Sequence, residues 1–131
     1  MKRLLLIGIA LLACAAGLLA HHSYGAVYNT DQRVTLKGRV AEIVYKGPHV
    51  MLTIATLNSG VWQAEWTSPN TLRIQGVKPD TVKVGDILEI EGSPAKDSAS
   101  RVVSALKEIR RPADGWRWLR AGPNPRPPII E

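Results

Sequence analysis

The run Val34-Thr35-Leu36-Lys37-Gly38-Arg39-Val40-Ala41-Glu42-Ile43-Val44-Tyr45 carries an alternating apolar pattern that changes phase once. Val34, Leu36, Gly38 and Val40 take one set of alternate positions, as a half-buried strand requires. After Val40 the apolar set becomes Ala41, Ile43 and Tyr45. Successive side chains of a strand point to opposite faces, so a slip of one residue turns the second half of the strand over. Beside a glycine, such a slip marks a β-bulge or a sharp bend, and a strand bent in this way serves both halves of a curled sheet.

The segments that follow have the lengths such a sheet needs. Lys46-Gly47-Pro48 is a turn into a strand over residues 49–56, in which Val50, Leu52 and Ile54 alternate with Met51, Thr53 and Ala55. Asn58-Ser59-Gly60 signals a hairpin into residues 61–66, where Trp62, Ala64 and Trp66 share one face and Gln63 and Glu65 the other. Ser68-Pro69 reads as an N-cap and first helical position, with Gly76 as the stop of a helix of about two turns whose main apolar contact is Leu72. Val84-Gly85-Asp86 turns the chain into a strand over residues 87–92, with Leu88 and Ile90 inward and Glu89 and Glu91 outward. A polar loop over residues 93–100 then leads to a last strand from Arg101 to about Ile109.

Three strands, a short helix and two strands form the order of an all-β, five-stranded OB-like barrel, in which closure removes the exposed sheet edges. Two sandwiched sheets are the competing arrangement. The barrel is expected over residues 34–111, after an extended lead-in over residues 21–33. Pro112, Pro123, Pro125, Pro127 and Pro128 oppose further ladder pairing, so residues 112–131 read as an extended, mobile tail.

Met1, Lys2 and Arg3 precede an uncharged run from Leu4 to Ala20, the pattern of a secretory leader over residues 1–20. Gly8 and Gly17 interrupt that run, which is no longer than the roughly 20 residues of a membrane span. Cleavage after Ala20 would start the mature chain at His21 in the periplasm. The alternative is a lipoprotein: Leu11-Leu12-Ala13-Cys14 resembles a lipobox, and Cys14 is the only cysteine, which leaves the mature domain without a disulfide. Loss of residues 1–20 lowers the formal charge from +6 (17 minus 11) to +4 (15 minus 11). Residues 107–131 hold six basic and three acidic side chains, so +3 of that charge sits at the C-terminal end. A basic tail suits phosphates, an anionic surface or plain solubility, and export makes nucleic acid an ill-suited partner.

His21-His22-Ser23, Val34-Thr35-Leu36-Lys37-Gly38, Pro48-His49-Val50, Ser68-Pro69-Asn70-Thr71-Leu72-Arg73, Gly85-Asp86 and Gly92-Ser93-Pro94-Ala95-Lys96-Asp97 together resemble an uncharacterised family of small exported Gram-negative proteins, a domain of unknown function. The likeness runs over roughly residues 21–100. Gly47 stands where Asn usually precedes the Pro-His pair, and Tyr24 where Phe is common. The resemblance implies export and a small β fold, and it supplies no activity.

The three histidines of the chain are His21 and His22 at the expected new terminus and His49 after the Gly-Pro turn. An α-amino group, with a pKa near about 7.7–8.0, can lose its proton and join imidazoles around one ion. Such a nitrogen-rich set favours Cu(II), with Ni(II) or Zn(II) as lesser fits. The competing reading leaves two histidines at a flexible terminus and one at a strand end. Trp62 and Trp66 are the second lead, as a barrel face for an envelope glycan or protein, although their alternation with Ala64 equally suits the core. Trp116, Arg117, Trp118 and Arg120 either grip a partner or fold back on the barrel.

For catalysis the signals are poor. The mature chain lacks a cysteine, a Gly-x-Ser-x-Gly elbow, a phosphate loop and a His-Glu-x-x-His run. Glu42 and Glu65 have no spacing that marks an acid–base pair. The expectation is therefore a binding module and not an enzyme, with copper as the leading ligand.

Overall fold

A computed structural model describes residues 25–120 of the chain. The expected leader, Cys14, His21, His22 and the end of the tail lie outside the described residues. The elements are β1 (Val34–Val44), β2 (Met51–Thr56), β3 (Val61–Glu65), helix α1 (Pro69–Ile74), β4 (Ile87–Pro94), β5 (Val102–Arg111) and β6 (Trp116–Leu119). Strand order is β3-β2-β1-β4-β5-β6, and β3 also pairs with β5, so the first five strands close into a barrel and β6 lies outside the closure.

The phase slip of β1 appears as a register shift. Gly38 to Val40 pair in step with Thr56 to Ile54, and the ladder resumes at Glu42 opposite Thr53, which leaves Ala41 as the extra residue of a bulge. Gly38 is needed at that bend: a Cβ there would stand 2.5 Å from the carbonyl oxygen of Ala55. The N-terminal half of β1 pairs with β4 and the C-terminal half with β2, so one bent strand joins the two sides of the barrel.

Alternation places Val50 just before β2, Leu52 and Ile54 of β2, Ala64 of β3, Leu88 and Ile90 of β4, and Val103 and Ile109 of β5 wholly inside. Removing each of the Val, Leu and Ile side chains from water contributes roughly 1.5–3 kcal/mol, set against the entropy of ordering the chain. Helix α1 begins as the Ser68-Pro69 pair predicts. Ser68 Oγ accepts a hydrogen bond from the Thr71 amide at 3.1 Å, and Leu72 is wholly buried in the core.

The structure corrects the sequence reading after Ile109. β5 runs on to Arg111, and Trp116–Leu119 form a sixth strand antiparallel to it instead of an extended tail. The prolines stand at 112 and from 123 onward, so the intervening stretch keeps its ladder donors. Asp114-Gly115 makes the turn, with Gly115 at φ +73° and Asp114 Oδ1 accepting from the Trp116 amide at 3.0 Å. Trp116 and Trp118 then fold onto the barrel, which buries them both. Arg111 fastens the hairpin: it bonds Asp114, reaches Asp86 at 2.7 Å, and lies over the Trp116 ring at 5.3 Å. Its bonds to Asp114 and Asp86 outweigh burial and raise its pKa further, and the same contact to Arg111 holds the Asp114 carboxyl below its usual range.

The lead-in is also part of the domain. Tyr28 forms a β-bridge with Ala95, while Asn29 N–H donates to Pro94 O and Lys96 N–H to Val27 O, both at 2.9 Å. This backbone pairing lays residues 27–29 beside the β4–β5 connection. Among the described residues no helix is long and apolar enough to cross a membrane.

Candidate functional site

The hairpin between β2 and β3 pairs Ala55 with Val61 and Met51 with Glu65. Leu52 and Ala64, one step along in the same ladder, are fully buried, so Met51 and Glu65 point outward. His49 precedes β2, held in place because Val50 N–H donates to Thr67 O and Val50 O accepts from Trp66 N–H. Its ring turns toward β3, and Nδ1 meets Oε1 of Glu65.

The other oxygen of that carboxylate is also taken: Tyr28 OH donates to Glu65 Oε2 at 2.7 Å. One carboxylate thus ties together the lead-in, β3 and the loop before β2. Burial pushes the Glu65 carboxyl up, but hydrogen bonds from Tyr28, His49 and the Ser104 hydroxyl outweigh it, and the charge of a protonated His49 adds to them, so its pKa lies below the ordinary carboxylate value. The Glu65 side chain is 19 % exposed, whereas that of His49 is 49 % exposed.

The geometry sets the chemistry of the ring. A neutral imidazole that donates from Nδ1 carries its lone pair on Nε2. A carboxylate in this position orients the ring, as it does for histidines that ligate metals. Behind the pair lies a pocket of about 390 Å³, bounded by Trp66, Thr71, Ser104 and Trp118 among others, with Arg120 at its edge.

The sequence-predicted residues fall in different places. His49 is on the surface, with Glu65 as its partner. Trp62 and Trp66 share a face, but it is the inner one. Trp66 is 6 % exposed and meets Trp118 edge to face at 5.4 Å, while Trp62 is half-buried and donates its indole N–H to Ser59 O. Trp66 Nε1 is buried and has no acceptor among the described residues. Glu42 lies on the outer face opposite Thr53 and is not brought to Glu65.

Tyr28 and Ser104 were not singled out from the sequence. The role of Glu65 could have been found there: pairing across Asn58-Ser59-Gly60 puts residue 65 opposite residue 51 and near residue 49. Nothing local announces that Tyr28 folds back across the strands. Among the described residues no three side chains of His, Cys, Asp or Glu converge as a metal-holding group.

A family model described as a family of unknown function, DUF6152, matches residues 9–104, well over half of the chain. Neither a curated protein nor a solved structure matches.

Proposed function

We propose that this chain, which belongs to DUF6152, is an exported binding protein of the periplasm that takes a copper ion on the Nε2 of His49 together with the amine and rings of His21 and His22. The observation that carries the reading is the shared carboxylate: Tyr28 and His49 occupy the two oxygens of Glu65. The chain is thereby anchored next to His49 only seven residues after His21. Gly25 to Val27 are helical, so the reach is less than the roughly 23–25 Å of seven extended residues, and the terminus need only turn back to a ring close to its anchor.

His49 and Glu65 are two groups, and the histidine pair at 21 and 22 can supply the further nitrogen donors. Removal of a leader after Ala20 would create the amine donor, so processing would complete the site. Copper suits the set because nitrogen donors rank it above the other divalent ions of its row. A glycan or protein partner on an aromatic face has less support, given that Trp66 lies on the inside.

The test uses the chain that begins at His21, titrated with Cu(II) by calorimetry. His49→Ala and His21→Ala are each expected to weaken binding by more than about tenfold, at least what loss of an outer-shell partner costs a metal site. Affinity unchanged by both substitutions ends the proposal.

A further inference from the structure

At the end of helix α1 unpaired cations stand around an apolar groove. Residues 66–83 contain Arg73, Lys78 and Lys83 against Asp80 alone, a net of +2 (3 minus 1). Among the described residues none of these three bases makes an ion pair, whereas Lys37, Lys107, Arg110 and Arg117 each have one. Arg73 only returns to Asn70 Oδ1 of its own helix, at 2.9 Å.

The groove arises from the way the helix stops. Gly76 takes φ +78°, Val77 N–H donates to Leu72 O at 2.8 Å, and Val77 turns into the core. Lys78 and Pro79 then emerge beside Tyr45, just past β1, whose hydroxyl donates to Val77 O at 3.4 Å. Tyr45, Pro69, Val77 and Pro79 thus wall a groove of about 490 Å³, and Arg73 and Lys78 line it too. Ile74 lies one turn beyond Asn70, which also lines the groove, and on the same face of the helix; it is 73 % exposed.

This combination suits anionic lipid. Apolar groups enter the boundary of the acyl region, while arginine and lysine keep their charged ends at the phosphates. A mere polyanion would answer the charges but has no use for Ile74 or the groove.

We propose that this end of the barrel docks on an anionic phospholipid surface, with Arg73 and Lys78 at the phosphates and Ile74 in the acyl boundary. The inference uses none of the copper donors and stands or falls without them.

The experiment sediments the chain that begins at His21 with vesicles of phosphatidylcholine, with and without phosphatidylglycerol. Binding is expected only with phosphatidylglycerol, and it should fall as salt is raised. Each cation near an anionic surface is worth about fivefold, so the double variant Arg73→Gln, Lys78→Gln should weaken binding by more than about tenfold. Ile74→Ser, which keeps the charge, should weaken it as well. All three side chains are exposed, so the fold persists, which melting curves check. The double variant Lys107→Gln, Arg117→Gln removes the same charge from bases already held by carboxylates and should cost less. No sedimentation with either vesicle, equal losses from the two double variants, or binding to phosphatidylcholine alone overturns the inference. So does indifference to Ile74→Ser, which, with polyaspartate displacing the protein from the vesicles, would make an acidic macromolecule the partner instead.

Discussion

Across β1, β4, β5 and β6 the outward charges answer one another in a row, whereas across β2 and β3 the polar groups converge on a single carboxylate. In the row, Lys37 Nζ lies 3.2 Å from Glu89, Arg110 reaches Glu89 at 2.9 Å and Glu108 at 3.7 Å, and Arg117 meets Glu108 at 2.5 Å. The basic partners are themselves well solvated, so each link contributes little and salt weakens it. At Glu65 the carboxylate is buried to the same degree, 19 % exposed beside 20 % for Glu89 and 18 % for Glu108, but its partners are a phenol and a half-exposed ring that bonds it through Nδ1. A surface of matched pairs is stable and inert, while one with an unspent lone pair can take a ligand. The difference follows from what each strand places opposite its carboxylates, basic side chains in the first case and an imidazole with a phenol in the second.

Three substitutions test this contrast. The largest effect is expected from Trp118→Ala, which removes support from beneath both faces: Trp118 is 1 % exposed, packs on Trp66 and donates to Gln75 Oε1 at 2.8 Å. Urea unfolding should show a loss of about 3–5 kcal/mol. A loss within error of zero would mean that β6 is no part of the folded unit.

Glu65→Gln comes next, at about 1–3 kcal/mol, since a partly buried acceptor of charged hydrogen bonds is lost. Its signature is in the pH dependence. The folded Glu65 has a pKa below its ordinary value of 4.5, so its contribution is present at neutral pH and disappears as the pH falls below that value and through the lower folded one. The unsubstituted protein should therefore lose more stability than Glu65→Gln between neutral pH and pH about 3. Parallel stability curves would show that the carboxylate has no special role.

Arg110→Ala should be the mildest. Its side chain is 54 % exposed, so the cost should stay under about 1 kcal/mol and shrink further in salt. If Arg110→Ala costs more than Glu65→Gln, the ranking of the two faces is inverted.

Local patterns were enough for most of the barrel. The slip after Val40 announced the bulge at Ala41, and Ser68-Pro69 announced the helix between the third and fourth strands, because both depend on side chains acting on nearby backbone. β6 was missed for an equally physical reason. Five prolines dominated the reading of the tail, although Asp114-Gly115 between Arg111 and Trp116 is a hairpin signal in its own right. For the tryptophans, alternation showed that Trp62 and Trp66 share a face but not which side of the sheet it looks to. The site was half legible: His49 drew notice through its turn and Glu65 only as an outward strand residue, while Tyr28 reaches them through a bridge to Ala95 that depends on the finished fold.

The strand that shuts the barrel is the last of the first five to be synthesised. Until β5 arrives, β3 and β4 are both open edges, and the pairing of Gln63 and Ala64 with Val102 and Val103 spans about forty residues of chain. A polypeptide that emerges amino end first, from a ribosome or through a membrane pore, is therefore an unfinished meander for most of its length. It stays threadable, and adhesive at two margins, until its final stretch emerges.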